Sequence, residues 1–498
     1  MKTLNKENLK SLPSDVAVPT YDRSAVKASI VHVGIGGFHR AHQAFYADQL
    51  LEKGVARDCG ICGVGLLEFD RKICDILTEQ DGLYTLMTKE LDGSVNARVI
   101  GSMVEVMFAP DNKQAVIEKM AHPETKIISL TITEGGYNLN EATGEFDFEN
   151  ESIKWDLAHP EDPKTIFGFL TQALLLRKNK GVQGCSIQSC DNIQGNGAIA
   201  RQMLCSFIGE VDNELLEWVN KNVTFPNSMV DRITPATVPA DIEMVYDKFK
   251  IKDRWPVVCE SYIQWVVEDD FVSGRPAYEE VGVQFVEDVA PYEKMKLQLL
   301  NAGHSVLGML GARHGYNSID EAASDEDFSK FLRSYMDAEA TPVLSGLEGM
   351  DLGAYKDSLM ARFRNKYIRD QISRICLQSS AKMPKFILPT VKSQLEGSGN
   401  FQRAAFVIAA WCKYNEGADE KGNEYEIEDV ISEELQAAAR RTQDDPLAFL
   451  KIESVFGDLV HQRTFVDAYQ SALEALNEFK IKECVKAINT KNTISWEK

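Results

Sequence analysis

A buried strand that runs directly into glycines constrains the fold of this chain more than any other feature. The stretch IVHVGIGGFHRAHQ, residues 30–43, begins as an apolar strand and carries Gly34, Gly36 and Gly37 before a helical pattern. A strand, a glycine turn and a helix in this order are typical of a dinucleotide-binding unit, where glycines let the backbone approach a pyrophosphate. The third position of that motif holds His39 instead of a small residue. The pattern indicates a cofactor loop and leaves an ordinary turn as the alternative.

A carboxylate that binds the cofactor's ribose is expected at the end of the second strand of such a unit. The stretch CGICGVGLL, residues 59–67, is predicted to be that strand, and Glu68 and Asp70 follow it. They lie further from Gly34 than the usual gap of about 20 residues, which a longer first helix and loop would explain. As an alternative, Asp70 could cap the helix that begins with DRKICDIL.

Two histidines raise the possibility of a metal site. His39 and His42 are three residues apart, so a helix spanning residues 39–54 could present both on one face. Cys59 and Cys62 form a lone pair inside a predicted strand. A structural zinc ion takes four protein ligands, and no second ligand pair accompanies these residues. We therefore predict no metal site.

The order of elements predicts the fold class and the domains. Strand and helix patterns alternate through the first half of the chain, which favours a Rossmann-type, mostly parallel sheet with helices on both faces. From about residue 289 the spacing is nearly all helical. We predict a dinucleotide-binding domain at 1–288 and a mainly α-helical domain at 289–498.

Charge and composition limit the partners. The net charge of −21 over 498 residues, from 75 acidic and 54 basic side chains, argues against binding to nucleic acid or anionic membranes. The N-terminal stretch MKTLNKENLKSLPSD has no apolar core, and no apolar run approaches the length of a bilayer span. Ten scattered cysteines are typical of reduced thiols. We expect a cytoplasmic protein with a small-molecule partner, as a monomer or small homo-oligomer.

Two polar groups of residues are candidates for chemistry. In SCDNIQGNG, residues 189–197, Asn192 ends a predicted strand, where its amide could donate to a developing oxyanion or could cap the next helix. In PYEKMKLQLLNAGHS, residues 291–305, Lys296 lies among apolar residues, and Asn301 and His304 share a helical face. Such residues form either a solvated stripe or a buried site in which the amine acts as a general base.

Six stretches taken together carry a family resemblance: GIGGFHRAHQ, SLTITEGGY, SCDN, FPNSMVDRITP, VCESYIQWVVED and KLQLLNAGHS. Over nearly its whole length the chain resembles the polyol-specific long-chain dehydrogenases of the mannitol dehydrogenase family. The resemblance implies a Rossmann-type domain and a helical catalytic domain with substrate between them, NAD as cofactor, and no metal in catalysis. His at the third position of the glycine loop is also a feature of this family.

The resemblance also implies individual roles. Lys296 matches the general acid and base, Asn192 and Asn301 the oxyanion donors, His304 the substrate-orienting histidine, and Glu293 the acid that helps move the proton. The residues that match substrate-binding positions are Asp231, Arg374 and Lys382. The residues that match the cofactor site are Gly34, Gly36, Gly37, Phe38, Glu68, Asp70, Thr133 and Glu134. Relatives often carry a second acid directly before Asp70, where this chain has Phe69.

The expected activity is NAD-dependent oxidation of a polyol secondary alcohol to a ketose, D-mannitol to D-fructose and the reverse. Two alternatives within the family are a hexuronate reductase, acting on fructuronate or tagaturonate, and a D-arabinitol 4-dehydrogenase. A sugar acid needs a matching cation, which Arg374 or Lys382 could supply. A nucleotide sensor without enzymatic activity is a further alternative. The presence of all the matching catalytic residues, Lys296, Asn192, Asn301 and His304, disfavours it.

Overall fold

The computed structural model describes residues 2–140, 143–347, 349–397 and 399–491. The chain forms two compact units, Met1–Ala290 and Pro291–Lys498. The assignment of a cofactor-binding role to the first and a catalytic role to the second stays a prediction. Among the described helices, none combines the length and the apolar character that a bilayer span requires.

The first unit contains the strands of the fold. In chain order they are β1 (Lys2–Thr3), β2 (Ala28–Val33), β3 (Gly60–Gly65), β4 (Tyr84–Lys89), β5 (Val95–Ile100), β6 (Met103–Phe108), β7 (Ile127–Leu130), β8 (Ser186–Ser189), β9 (Ser228–Asp231), β10 (Ile251–Lys252), β11 (Val257–Glu260), β12 (Gln264–Glu268) and β13 (Gln284–Val286). Its helices are α1 (Gly37–Ala41), α2 (Gln43–Glu52), α3 (Arg71–Glu79), α4 (Lys113–Met120), α5 (Glu151–Ala158), α6 (Ile166–Asn179), α7 (Asn196–Val211), α8 (Asn213–Asn222) and α9 (Pro239–Phe249).

A five-stranded parallel sheet in the order β6-β3-β2-β7-β8 is the centre of this unit. Every residue of β2 and β3 is buried, which explains why both read as continuous apolar runs. Successive residues point to opposite faces, and Ile30 belongs to one hydrophobic core while Val31 belongs to another. Both faces are therefore covered, and the predicted Rossmann-type fold class is confirmed.

Smaller sheets surround the central one. Strands β11, β4 and β5 form one sheet, β13, β12 and β9 form another, and β1 pairs with β10. The stretches WPVVCESYIQWVVED and VGVQFVED supply β11, β12 and β13.

The second unit is built of helices, the first of which begins at the boundary. They are α10 (Ala290–Lys296), α11 (Ala302–His314), α12 (Ile319–Ser324), α13 (Glu326–Tyr335), α14 (Leu352–Phe363), α15 (Ile372–Cys376), α16 (Ser379–Phe386), α17 (Leu388–Glu396), α18 (Gln402–Tyr414), α19 (Ser432–Arg441), α20 (Glu453–Phe456), α21 (Arg463–Glu478) and α22 (Ile481–Lys491). Helices α11 and α18 are buried nearly all round and pack on each other at the centre of the unit.

The expectation of one helix over residues 39–54 is wrong. The first helix begins two residues earlier, at Gly37, and ends before His42. The φ of −121° and ψ of −91° at His42 separate α1 from α2. The His42 ring is buried, stacks on Phe38 and packs edge-on against Trp265. Its Nε2 lies 2.9 Å from the carbonyl oxygen of Gln264. The side chain is thus held by a distant strand, and the backbone leaves the helical conformation to allow it.

His39 is packed beneath the glycine loop. Its ring stacks on that of His32 with centroids 3.3 Å apart. His32 in turn lies 2.8 Å from Ser129 Oγ through Nδ1 and 2.9 Å from Thr131 Oγ1 through Nε2. Burial lowers the pKa of His32 to about 3 and holds the pKa of His39 well below its usual value. Both rings are therefore neutral near pH 7, and the His39 ring packs against His32, which its polar neighbours hold in place.

Acid should destabilise the first unit through these histidines. Both stay neutral in the folded chain but take up protons when unfolded below about pH 6.5, so stability falls as the pH drops. In H39F, the free energy of unfolding should depend on pH between 6.5 and 5 more weakly than in the wild type, by up to about 1.4 kcal/mol per pH unit. Denaturant titrations across this range measure it. Replacing the exposed His461 by Gln should leave the slope unchanged, and parallel curves for H39F and the wild type would contradict the assignment.

Candidate functional site

The glycine loop is tightly packed at Gly34 and open at Gly36. Gly34 has a φ of +98°, and a Cβ atom there would lie 2.0 Å from the carbonyl oxygen of Thr131. Its N–H donates to Val64 O at 3.0 Å, so the turn is fixed between β3 and β7. A Cβ atom on Gly36 would meet nothing within 4 Å. The backbone at Gly36, where α1 begins, is therefore accessible to a ligand.

Asp70 shapes the turn after β3. One of its carboxylate oxygens accepts the backbone N–H groups of Leu66 and Leu67, each at 3.0 Å. Its side chain makes no capping hydrogen bond to α3, so the helix-cap alternative is wrong. The carboxylate lies at the carboxyl end of β3, next to the strand that leads into the glycine loop. In a dinucleotide-binding sheet, the ribose-binding acid occupies this place.

The cations that follow Asp70 are already engaged. Arg71 bonds Glu68 through Nε at 2.7 Å and contacts Asp111 at 3.0 Å through Nη2. The ammonium of Lys72 lies over the ring of Trp255, 4.8 Å from its centroid. The turn thus offers a ligand more negative than positive charge. Phe69 lies between the two acids with 79% of its surface exposed.

Asp191 holds the loop after β7. Its Oδ1 accepts the N–H of Thr133 at 2.9 Å, and its Oδ2 accepts the N–H of Ile132 at 3.0 Å and the Tyr137 hydroxyl at 2.7 Å. Thr133 has a φ of +61° and a ψ of 170°, a conformation that strains every residue except glycine. The buried carboxylate therefore keeps Thr133 and the adjacent Glu134 in place. Sequence reasoning missed this role of Asp191.

The expected residues of the first unit share one edge of the sheet. The glycine loop, Asp70, Thr133 and Asn192 follow β2, β3, β7 and β8 respectively, and these strands are parallel. Ligands of open parallel sheets bind at this carboxyl edge. Asn192 is exposed, whereas Asp231, the last residue of β9, is buried.

A π-helical segment at Leu297–Asn301 joins α10 to α11 in the second unit. The N–H of Ala302 bonds the carbonyl of Leu297, five residues earlier. In a regular α-helix, five residues would leave Asn301 about 140° around the axis from Lys296. With one more residue in the turn, Asn301 lies about one turn beyond Lys296, and π segments of this kind are frequent at functional sites. The regular helical spacing expected from the sequence does not hold here.

Burial supports a site on these helices. Lys296 and Glu293, one turn apart on α10, are each 7% exposed. The side-chain oxygen of Asn301 is buried and has no hydrogen-bond partner among the residues that the structure describes. A buried acceptor without a donor is costly, and a bound ligand could supply the missing donor. The solvated-stripe interpretation of this helix is therefore wrong for Lys296 and Glu293.

The remaining expected residues meet around Asp370, a residue that sequence reasoning missed. Arg374, on α15, donates to Asp370 through two nitrogens. His304 Nε2 lies 3.6 Å from the same carboxylate. The ammonium of Lys382, on α16, donates to Ile375 O at 2.9 Å, and burial lowers its pKa. The spacing of four residues between Asp370 and Arg374 was the sequence signal that could have indicated the pair.

The described parts of the chain contain no set of metal ligands. Within them, no group of three or more His, Cys, Asp or Glu side chains is arranged to hold an ion. All ten cysteines lie in these parts and carry free thiols.

Comparisons with known proteins identify relatives over most of the chain. A model described as the mannitol dehydrogenase Rossmann domain matches residues 28–280, and one described as the mannitol dehydrogenase C-terminal domain matches residues 288–477. Mannitol 2-dehydrogenase of Emericella nidulans is 45% identical, covering 95% of this chain and 96% of the relative. A mannitol 2-dehydrogenase of Aspergillus fumigatus is 47% identical, with 91% and 92% covered.

Two solved structures are similar as well. Pseudomonas fluorescens mannitol 2-dehydrogenase, in a ternary complex with NAD and D-mannitol, is 43% identical with a TM-score of 0.86, and the match covers 98% of this chain and 100% of that one. A D-sorbitol dehydrogenase in substrate-free form is 37% identical with a TM-score of 0.90, and the match covers 96% and 99%.

Asp191 and Thr133 provide a test of the cofactor edge. D191N removes the charge and turns one acceptor oxygen into an NH2 group, so at least one hydrogen bond that holds the Thr133 loop is lost and the Kd of a dinucleotide should rise about tenfold. Adding T133G should recover part of the loss, because glycine adopts this conformation freely. Fluorescence titration measures the Kd, and D212N, at the start of α8, is the matched control. Unchanged binding in D191N would refute the role of the loop.

Proposed function

The chain belongs to the mannitol dehydrogenase family, and on this premise we propose that it oxidises D-mannitol at carbon 2 to D-fructose, and the reverse, with NAD. It is an NAD-dependent oxidoreductase that acts on a polyol. The observation that carries the finer assignment is the identity of 45% and 47%, over nearly the whole chain, to proteins named mannitol 2-dehydrogenase. The ternary complex of the Pseudomonas fluorescens relative with NAD and D-mannitol supports the same pair of ligands.

Lys296 is the proposed general acid and base. In oxidation, its neutral amine removes the proton of the secondary hydroxyl, and in reduction the ammonium returns a proton to the ketone oxygen. Its place on a buried helix face supports this role, since water does not compete there for the hydroxyl. Glu293 lies one turn away on α10 and is equally buried, which suits a group that passes the proton on.

The amides of Asn301 and Asn192 are the proposed donors to the alkoxide. Donors fixed in advance stabilise a developing negative charge without reorganising during the reaction. Asn301 would donate through its amide nitrogen, while its buried, unsatisfied side-chain oxygen can accept from a substrate hydroxyl. The two amides take the place of a metal ion as electrophile, and we propose that catalysis needs no metal. NAD, when bound, accepts the hydride from carbon 2.

Asp70 is the proposed determinant of NAD use. Its carboxylate accepts hydrogen bonds from the ribose hydroxyls and repels a 2′-phosphate. The engagement of Arg71 with Glu68 and Asp111 supports this, because that cation is not left to attract the phosphate.

The substrate assignment is tested by kcat/KM for D-mannitol, D-sorbitol and D-arabinitol with NAD, and for D-fructose and fructuronate with NADH. D-mannitol should exceed both other polyols by at least about tenfold, a difference of about 1.4 kcal/mol in transition-state binding. The D-sorbitol dehydrogenase relative makes sorbitol the sharpest comparison. A preference for sorbitol or arabinitol would overturn the mannitol assignment, and a tenfold preference for fructuronate over fructose would favour the hexuronate alternative.

The lysine mechanism is tested by K296A. Loss of the general acid and base should lower kcat by about two to four orders of magnitude, while NADH binds with unchanged Kd. Added methylamine should recover part of the rate. K294A, two residues away on α10 with its ammonium bonded to Val343 O, is the control and should keep kcat within about threefold. A near-normal kcat in K296A would exclude the role.

A further inference from the structure

Asp370 connects two residues of the proposed substrate site, Arg374 and His304. Its side chain is 8% exposed and precedes α15. Oδ1 accepts Nε of Arg374 at 2.9 Å and Nη2 at 2.6 Å, and Oδ2 accepts Nη2 at 2.7 Å. Oδ2 also lies 3.6 Å from Nε2 of His304. The His304 ring is held on another side by Phe363, with ring centroids 4.7 Å apart.

We propose that Asp370 determines specificity: by pairing with Arg374, it makes the site accept neutral polyols and ketoses and reject sugars that end in a carboxylate. This inference rests on the proposed function and deepens it. A guanidinium binds a carboxylate best through a planar fork of two N–H groups. In this chain the fork formed by Nε and Nη2 is already occupied by Asp370.

A substrate carboxylate would therefore meet a second carboxylate instead of a free cation. Arg374 is largely exposed, at 63% of its side-chain surface, but its charge is matched by Asp370 within hydrogen-bond distance. Two like charges in close contact repel, and the partly buried position of Asp370 limits screening by salt. The pair as a whole is neutral and suits a neutral ligand.

Lys382 does not supply the missing cation either. Its ammonium donates to the carbonyl oxygen of Ile375 at 2.9 Å and approaches that of Arg374 at 3.5 Å. These carbonyls lie in the last turn of α15, where a helix presents partial negative charge. The ammonium thus completes the end of this helix, where its N–H groups are directed at backbone carbonyls.

Hydroxyl groups match what the pair leaves available. A polyol hydroxyl both donates and accepts, so it can donate to a carboxylate oxygen of Asp370 and accept from Nη1 of Arg374. A carboxylate only accepts, so it cannot donate to Asp370 and brings a second negative charge beside it. The Asp370–Arg374 pair thus accepts a terminal hydroxyl and disfavours a carboxylate at the same carbon.

The experiment compares D-fructose with fructuronate, its analogue with a carboxylate at carbon 6, in the wild type, D370N and D467N. Asp467 is exposed on α21, so D467N makes the same change in net charge far along the chain. In D370N, the ratio of kcat/KM for fructuronate to that for fructose should rise at least about tenfold above the wild-type ratio. D467N should leave the ratio within about twofold.

The outcomes separate this inference from the proposed function. If the wild type reduces fructose but the ratio in D370N stays within threefold of the wild-type value, the inference is overturned. An equal fall for both substrates would show a merely structural role and also overturn it. If the wild type does not reduce fructose at all, the proposed function fails instead. Should D370N not fold, D370S provides the same comparison, and a tenfold rise there supports the inference equally.

Discussion

The close packing of Gly34 against the carbonyl oxygen of Thr131 fixes the carboxyl edge of the parallel sheet. Because a side chain at residue 34 would overlap that oxygen, the chain can pass between β3 and β7 only as glycine. His32 reinforces the contact, since its Nε2 lies 3.0 Å from Gly34 O and 2.9 Å from Thr131 Oγ1. The turns that carry Asp70 and Thr133 follow the two neighbouring strands. This contact therefore holds the glycine loop between those two turns.

Two carboxylates at that edge hold their loops in the same way. Asp70 and Asp191 each accept backbone N–H groups of a loop that would otherwise expose unpaired donors. A charged acceptor strengthens such bonds, which is how a non-glycine residue such as Thr133 is kept at a φ of +61°. Loop shape is thus determined by a nearby side chain, Asp70, after β3 and by a side chain distant in sequence, Asp191, after β7.

The sequence predicts the sheet well because its evidence is local. Strands β2 and β3 are covered on both faces, and strands of this kind have continuous apolar sequences that are easily recognised. The break at His42 could not be predicted, since it depends on a bond to Gln264, more than 200 residues away. The family resemblance assigned roles to Lys296, Arg374 and their neighbours, but it gave no information about which residues they contact. Asp370 was missed for that reason, because its importance lies only in what it touches.

The π segment at Leu297–Asn301 makes the second unit dependent on residue count and not only on residue type. If the same residues formed a regular α-helix, Asn301 and His304 would rotate by about 100° relative to Lys296, although every chemical group would still be present. Removing one residue from the segment would let a regular α-helix form with Asn301 again about one turn beyond Lys296. The alignment of the proposed site is therefore encoded partly as length, and a chain that kept every functional side chain but straightened this segment would lose their common face.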